Sequence, residues 1–470
     1  MNWKRVSNLF LTLCVSLMTV FSSACVPKKP YGGLFDTERI HTVDIRIAEE
    51  DWNDLLAHPT ERKKYHVDAV IDGETIKDVS LAAKGNSSLT FVADSGISER
   101  YSFKLIFDKY QKGQTYHGLD RLNLQNMFAD ATYMKDYLSY DLFRRAGVNA
   151  PLASYILVRI NGEPHGLYLA AEEIGKSYLQ RVYYGKGSLY KPEAEDIEID
   201  AAKLEDIKNG GAAGGENAGG ADFVYQGDSP EFYPGIFQND EAGDSPETQQ
   251  RIISGLKDLA EGNPQKALDT KEIITYFAVQ NFLMNYDGYT GVMLHNYYLY
   301  ETDGKLALLP WDYNSAFGGF PMDGVIGHHN DPSLVVNLGI DSPLVGIPDE
   351  ARPMWSWIPA DEKYRAQYHD VFAELIKEEF ESGAFEARVD ALYEQLLPYV
   401  KDDPTAFYNT SEFTEAVQSL KNTSILRAES VDRQLKGELS CITDKQDPSA
   451  RVDASDLTIF TGLGILERAE

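Results

Sequence analysis

Cysteine is nearly absent: 470 residues hold three, Cys14, Cys25 and Cys441. That excludes a disulfide-stapled scaffold and a cysteine-built zinc centre. Positive charge is also scarce, 44 Lys and Arg against 73 Asp and Glu for a net charge of −29. A general DNA- or RNA-binding surface is thereby excluded, because it needs clustered cations to displace counterions. Cations or basic polypeptides are the natural partners of so acidic a chain. The histidines show no H-E-x-x-H spacing, and no repeat of solenoid period is present. What is there is a globular composition, 43% hydrophobic and 11% aromatic. The length allows one large domain or two to three smaller ones.

The first 25 residues read as a targeting signal. Lys4 and Arg5 precede an apolar run from Leu9 to Phe21, which Thr12, Ser16 and Thr19 interrupt. The run is too short and too polar to span a membrane as a helix, and small residues, Ser22-Ser23-Ala24, follow it. Cys25 comes next, and the stretch resembles a bacterial lipoprotein signal in which that cysteine is lipidated. The alternative is ordinary cleavage near Ala24, which leaves a free thiol and a Cys25–Cys441 bridge open. Residues 26–39, with Pro27, Pro30, Gly32 and Gly33, read as a tether.

From residue 40 the chain reads as α+β. Alternation predicts strands over 41–47, 65–71, 76–83 and 101–107, with a turn at Asp72-Gly73. Apolar spacing predicts helices over 49–57 and 132–146, the second ending before Gly147. Asn161-Gly162 joins strands 155–160 and 166–171 as a hairpin, and Asp303-Gly304 joins 296–300 to 305–309. Residues 193–250, acidic and rich in glycine, read as a mobile insertion outside the core. A buried helix is expected over 273–283 and a helical section over 361–435, with a weak extension over 436–470. Strands first and helices last make an α+β plan with two lobes.

Four segments carry residues suited to chemistry. Lys84-Gly85-Asn86-Ser87-Ser88 follows an apolar strand, where backbone N–H groups can approach an anion, although the same residues suit a surface turn. Lys104 stands in the strand Ser102-Phe-Lys-Leu-Ile-Phe107, where it must pair or reach water. Asp287 lies in a Gly-rich turn after the buried helix, poised at a cavity wall or serving as a turn acid, and Asn296 opens the next strand. Asp312, after Leu308-Leu-Pro-Trp311, is flanked by apolar residues, which suits a functional acid or one that holds backbone amides. Two acids joined by one hairpin can converge on a metal, and carboxylate and amide oxygens suit Mg2+ or Mn2+.

In this order the segments resemble the spore coat protein H (CotH) kinase family, from about residue 40 to 319. The likeness also rests on Gly118-Leu-Asp-Arg-Leu-Asn123, Met134-Lys-Asp-Tyr-Leu138, Leu142-Phe-Arg144 and Ala146-Gly-Val148. It continues through Asn161-Gly-Glu163, Gly166-Leu-Tyr168 with Glu172, Leu189-Tyr-Lys191, His295-Asn-Tyr-Tyr-Leu-Tyr300 and Pro310-Trp-Asp312. The resemblance implies an atypical protein-kinase-like fold and ATP-dependent phosphoryl transfer. It implies that Asp287 orients or deprotonates the attacking hydroxyl, Asp312 binds metal and Asn296 is the second metal ligand. Lys104 and Lys84 would meet the nucleotide phosphates, and Glu172 would sit near the adenine. Phosphoryl transfer asks mainly for positioning and charge neutralisation, which these residue types supply. H-R-D and G-x-G-x-x-G are missing. Asn314 stands where the family often has a second acid, and Gly175 replaces a frequent Asp.

The expectation is a secreted, membrane-tethered kinase that uses ATP with Mg2+ or Mn2+ on Ser or Thr of extracytoplasmic proteins, basic segments among them. The alternatives are a kinase-fold surface protein without turnover and, more remotely, a hydrolase built on Asp287 and Asp312.

Overall fold

A computed structural model describes residues 29–194, 218–320 and 331–459. Cys25 and the targeting signal lie outside the described residues.

Seven strands close into a barrel: β1 (His41–Arg46), β2 (Tyr65–Ile71), β3 (Glu74–Lys84), β4 (Ser102–Ile106), β5 (Arg121–Gln125), β6 (Ala153–Ile160) and β7 (Glu163–Glu172). Their order is β1-β2-β3-β4-β5-β7-β6. Every pair is antiparallel except the closing one, in which β6 runs parallel to β1 with His41 opposite Ile156. The hairpin turns are local chemistry: Asp72 and Gly73 take φ of 49° and 87°, Asn161 and Gly162 take 53° and 90°. Positive φ at both central residues is what a two-residue hairpin with right-handed strand twist requires. Alternation then sorts the side chains. Val43, Ile45, Val79, Leu81, Phe103, Leu105, Leu122, Leu124 and Ile156 are fully buried on the face that fills the barrel. The outward face of β3, β4, β5 and β7 is left for the polar residues described below.

A helix, α1 (Glu49–Ala57), and a second, α2 (Ser87–Ser95), flank the first strands, and α3 (Lys135–Arg145) precedes β6. The loop from Lys84 therefore runs into a helix rather than closing as a turn. After α4 (Lys176–Tyr183), a second sheet of order β11-β10-β8-β9 forms from β8 (Ser188–Tyr190), β9 (Asp240–Ala242), β10 (Tyr297–Thr302) and β11 (Lys305–Pro310). Helices α5 (Pro246–Ala260) and α6 (Thr270–Phe282) pack on it, and α7 (Glu362–Leu375), α8 (Ala384–Lys401) and α9 (Thr410–Leu435) complete a largely helical C-terminal part. The protein is a mixed α+β molecule with strands concentrated early. Among the described residues no helix is long and apolar enough to cross a membrane.

Three boundaries differ from the sequence reading. The stretch taken as a tether is already docked: Tyr31 is buried and donates to Glu172 Oε1 at 2.7 Å, and Leu34 is fully buried. Part of the acidic stretch belongs to the core, because Ala221, Phe223, Tyr233 and Ile236 are fully buried and β9 joins the second sheet. These aromatics are spaced irregularly among glycines and acids, so no periodicity marks them. In the C-terminal extension, Leu439, Val452 and Ala454 are buried, and Asn337 Nδ2 donates to the Val452 carbonyl at 2.8 Å.

Candidate functional site

Strand register places five polar side chains on one outward face of the barrel. Lys104 lies opposite Ala82 on β3 and Asn123 on β5, and Asn123 lies opposite Ala171 on β7. Moving two residues along each strand keeps the face, which adds Lys84, Gln125 and Glu173. The contacts agree. Lys104 Nζ is 2.7 Å from Glu173 Oε1, and Asn123 Nδ2 donates to Glu173 Oε2. Lys84 Nζ donates to Gln125 Oε1 at 2.8 Å and lies 5.5 Å from the centre of the Trp311 ring. Burial alone would raise the Glu173 carboxyl, but Lys104, with Lys84 and Asn123, holds it below the ordinary glutamate range. Burial pushes Lys84 the other way, down to about 8, against the pull of the Asp312 carboxylate.

The opposing wall comes from the end of the β10–β11 hairpin. Tyr297 pairs with Pro310, so His295 and Asn296 on one strand and Trp311 and Asp312 on the other extend past the same end. β8 runs antiparallel to β10, with Leu299 opposite Tyr190, and brings Lys191 to that end as well. Asp312 takes a left-handed backbone, φ 55°, and Asn296 another, φ 63°. A β-carbon is strained there, and such strain persists only where the surroundings hold it. At Asp312 the holding groups come from α3. Its N–H donates to the Tyr140 hydroxyl at 3.0 Å, and the Tyr313 N–H donates to Asp136 Oδ1 at 2.6 Å. Burial raises the Asp312 carboxyl above the aspartate range, Lys84 pulls it back, Asp287 pushes it up again, and Lys191 and His295 oppose. Asp136 is pushed up to about 7 by burial and by the Asp312 charge.

The turn that carries Asp287 is held from behind. Gln280 of α6 donates to the Asn285 carbonyl at 2.7 Å and to Thr290 Oγ1 at 3.3 Å, and accepts the Tyr313 hydroxyl. The fully buried Arg352 donates to the carbonyls of Tyr289 and Gly291, both at 2.7 Å. Gly291 admits no side chain, since a β-carbon would fall 1.7 Å from the Tyr286 carbonyl oxygen. Asp287 Oδ1 meets His295 Nε2 at 3.0 Å. Burial would lower that imidazole, but the hydrogen bond and the charges of Asp287 and Asp312 win and raise it.

The structure thus brings Lys84, Lys104, Asp287 and Asp312 to one region, with Asn296 on its rim. Glu172 is not among them. Its side chain lies on the barrel-filling face, opposite Leu122 in register, and its carboxylate is taken up by Arg181 at 2.5 and 2.8 Å, by Tyr31 and by the Leu152 N–H. The acid that meets Lys104 is the next residue, Glu173. Sequence reasoning also passed over Asp136, Lys191 and His295. Each lies in a segment quoted for the family likeness, but an acid on a largely buried helix has no periodic signature. Asp312, Asp287 and Asn296 offer oxygen donors, the kind a hard divalent cation takes.

The model of the family described as CotH kinase protein matches residues 81–431. The chain is 23% identical over 371 residues to the inner spore coat protein H of Bacillus subtilis (strain 168), covering 78% of this chain and 87% of that protein. An inner spore coat protein H-like protein of the same organism is 32% identical over 99 residues, 19% of this chain and 31% of that protein.

Proposed function

The chain belongs to the CotH kinase protein family, and from that premise we propose that it is a protein kinase, dependent on ATP and a divalent metal, that acts outside the cytoplasm on Ser or Thr of coat or envelope proteins. In this reading the barrel and the helical part are the two lobes of an atypical kinase-like fold. Cys25 carries a lipid that anchors the chain to the membrane. The observation that carries the reading is the strained, half-buried Asp312 beside Asp287, facing Lys84 and Lys104 across the site. Asp312, with Asn296, would hold Mg2+ or Mn2+, which would supply charge neutralisation at the phosphates. Lys104, fixed by Glu173, and Lys84 bind the phosphate oxygens. Asp287, oriented by His295, takes the proton of the acceptor hydroxyl as its oxygen bonds to the γ-phosphorus and the bond to ADP breaks. The spore coat placement of the relative, read from its name, supports an extracytoplasmic site of action.

Incubating the chain with labelled ATP, Mn2+ or Mg2+ and a basic Ser/Thr polypeptide should give acid-stable phosphate on the polypeptide. Asp287→Asn should lower that rate by about 10²–10⁴-fold, the range for loss of a general base. Equal incorporation by the two proteins would overturn the assignment. The Asn314 side chain accepts from the Ser315 hydroxyl at 3.1 Å and brings no charge to a position where the family often has an acid. That favours the second reading, a binding protein that retains nucleotide without turnover, which the same assay separates when it shows ATP bound and no transfer.

The Lys84 value adds a pH signature. Its ammonium loses its proton as pH rises through about 8, and a neutral amine no longer attracts phosphate. ATP affinity should therefore weaken from pH 7 to 9. Lys84→Arg, which stays charged throughout, should flatten that dependence in calorimetric titrations, and an unchanged slope would remove Lys84 from the phosphate contacts.

A further inference from the structure

Outside the barrel–hairpin site, three segments distant in the chain bring metal-ligating side chains to one point. Asp341 lies in the turn that Gly339 opens and the Ser342 N–H closes, His369 lies on α7, and Cys441 follows the end of α9. One donor atom from each lies within 4.8 Å of the other two, and all three residues are half-buried. His369 Nε2 is 2.7 Å from Asp341 Oδ1. Cys441 is a free thiol.

The backbone around the cluster is tied before any ligand is considered. The Asp341 N–H donates to the Cys441 carbonyl at 2.9 Å, the Gly339 N–H to Thr443 Oγ1 at 2.9 Å, and the Thr443 N–H to Ser342 Oγ at 2.9 Å. Gln434 Oε1 accepts the Ile340 N–H at 2.9 Å, and the Tyr368 hydroxyl donates to the Ile340 carbonyl at 2.8 Å. The two crossing segments approach so closely that a β-carbon on Gly339 would lie 2.4 Å from the Cys441 carbonyl oxygen. A site whose supports are fixed in this way loses little freedom on binding.

The geometry points to a zinc site in which Asp341, His369 and Cys441 hold one Zn2+ through carboxylate, imidazole and thiolate, with water at the fourth corner. This donor mixture suits Zn2+, whereas Mg2+ and Mn2+ favour oxygen alone. Metal–donor lengths of about 2.0–2.3 Å in a tetrahedron require the Asp341–His369 contact to open slightly, exchanging a hydrogen bond for two metal bonds. On binding, the Cys441 thiol proton passes to solvent and the sulfur bonds to zinc, so two anionic ligands balance the ion. Arg365, on the same helix as His369, favours the thiolate. Burial beside Asp341 holds the thiol proton up to about 11, which keeps the cysteine neutral until a metal displaces that proton. Bound zinc would pin the segment after α9 to α7. The scarcity of cysteine rules out only a centre built from several thiolates, and no local motif announces this one because its ligands are spread over a hundred residues.

The full chain, stripped with chelator and desalted, should develop with Co2+ a near-ultraviolet thiolate-to-metal charge-transfer band that one equivalent of Zn2+ bleaches, whatever cobalt the Asp312 site takes up without one. Cys25→Ser and Asp312→Ala should leave the band unchanged. Cys441→Ser should abolish it, and His369→Ala should weaken Zn2+ binding by more than roughly tenfold. His369→Ala also decides the matter if Cys441→Ser does not fold. No band at saturating cobalt, or zinc affinity unaltered by His369→Ala, would overturn the proposal.

Discussion

Asp312→Asn should cut phosphoryl transfer by roughly 10²–10³-fold or more and, at neutral pH, make the folded protein harder to unfold. The two effects have one origin. The Asp312 carboxylate is withdrawn from water with Asp287 and Asp136 nearby, and burial raises its pKa above the ordinary 3.8. A carboxyl whose folded value lies above its unfolded value costs stability once the pH exceeds the unfolded value, and the cost grows until the pH passes the folded one. Asparagine keeps the shape and removes the charge. Activity built on a costly buried acid trades stability for function. Thermal unfolding and labelled-phosphate incorporation, measured on the same preparation, check both halves. Transfer at the original rate would exclude Asp312 from the chemistry. Lost transfer with a lower melting temperature would mark Asp312 as a scaffold residue.

The second large effect concerns folding. Asp403→Ala should destabilise the protein by about 3–5 kcal/mol, the cost of leaving a buried charge without its partner. Arg100 and Asp403 are both fully buried, 2.6 Å apart, and join the barrel to the loop between α8 and α9. The remaining side-chain hydrogen bonds of Arg100 go to the Leu167 and Asn126 carbonyls and to Thr405 Oγ1 at 3.3 Å, and Asp403 Oδ2 also takes the Leu167 N–H at 2.9 Å. Removing the acid leaves the guanidinium with neutral oxygens but no counter-charge. Replacing both residues with apolar ones of similar volume should recover much of the loss. The exposed pair Lys377–Glu378, at 3.1 Å, should by contrast change stability by less than about 1 kcal/mol when broken. Urea midpoints for the single and double variants measure the difference, and a single-variant loss near that of the surface pair would refute the role.

Features that were legible in the sequence are those with local causes. Asp72-Gly73, Asn161-Gly162 and Asp303-Gly304 make their turns through backbone preferences of two residues, and the paired strands follow by alternation. Asp287 and Asp312 could be read together because one hairpin connects them. The rest depended on pairing between distant segments. β5 is five residues long, and β8 and β9 have three each, too few for a period to show. The parallel joining of β6 to β1 that closes the barrel has no mark in either strand. That Glu172, expected near the adenine, faces into the barrel while Glu173 meets Lys104 is a matter of parity. Neighbouring strand residues face opposite ways, so only the register from Lys104 through Asn123 to Ala171 tells which acid shares the lysine's face.

The long-range closures also set an order of events for a chain that leaves the ribosome N-terminus first. β1 has one antiparallel neighbour at once, but its second edge stays open until Ile156 and the residues around it have been synthesised. Arg100 waits longer, because its counter-charge arrives 303 residues later. During that interval a nascent barrel holds a cation it cannot bury without penalty, so the early part of the molecule stays loosely packed until the last helices arrive. The Arg100–Asp403 pair thus couples the barrel to the helical part, since the Arg100 charge is met only when the loop after α8 docks.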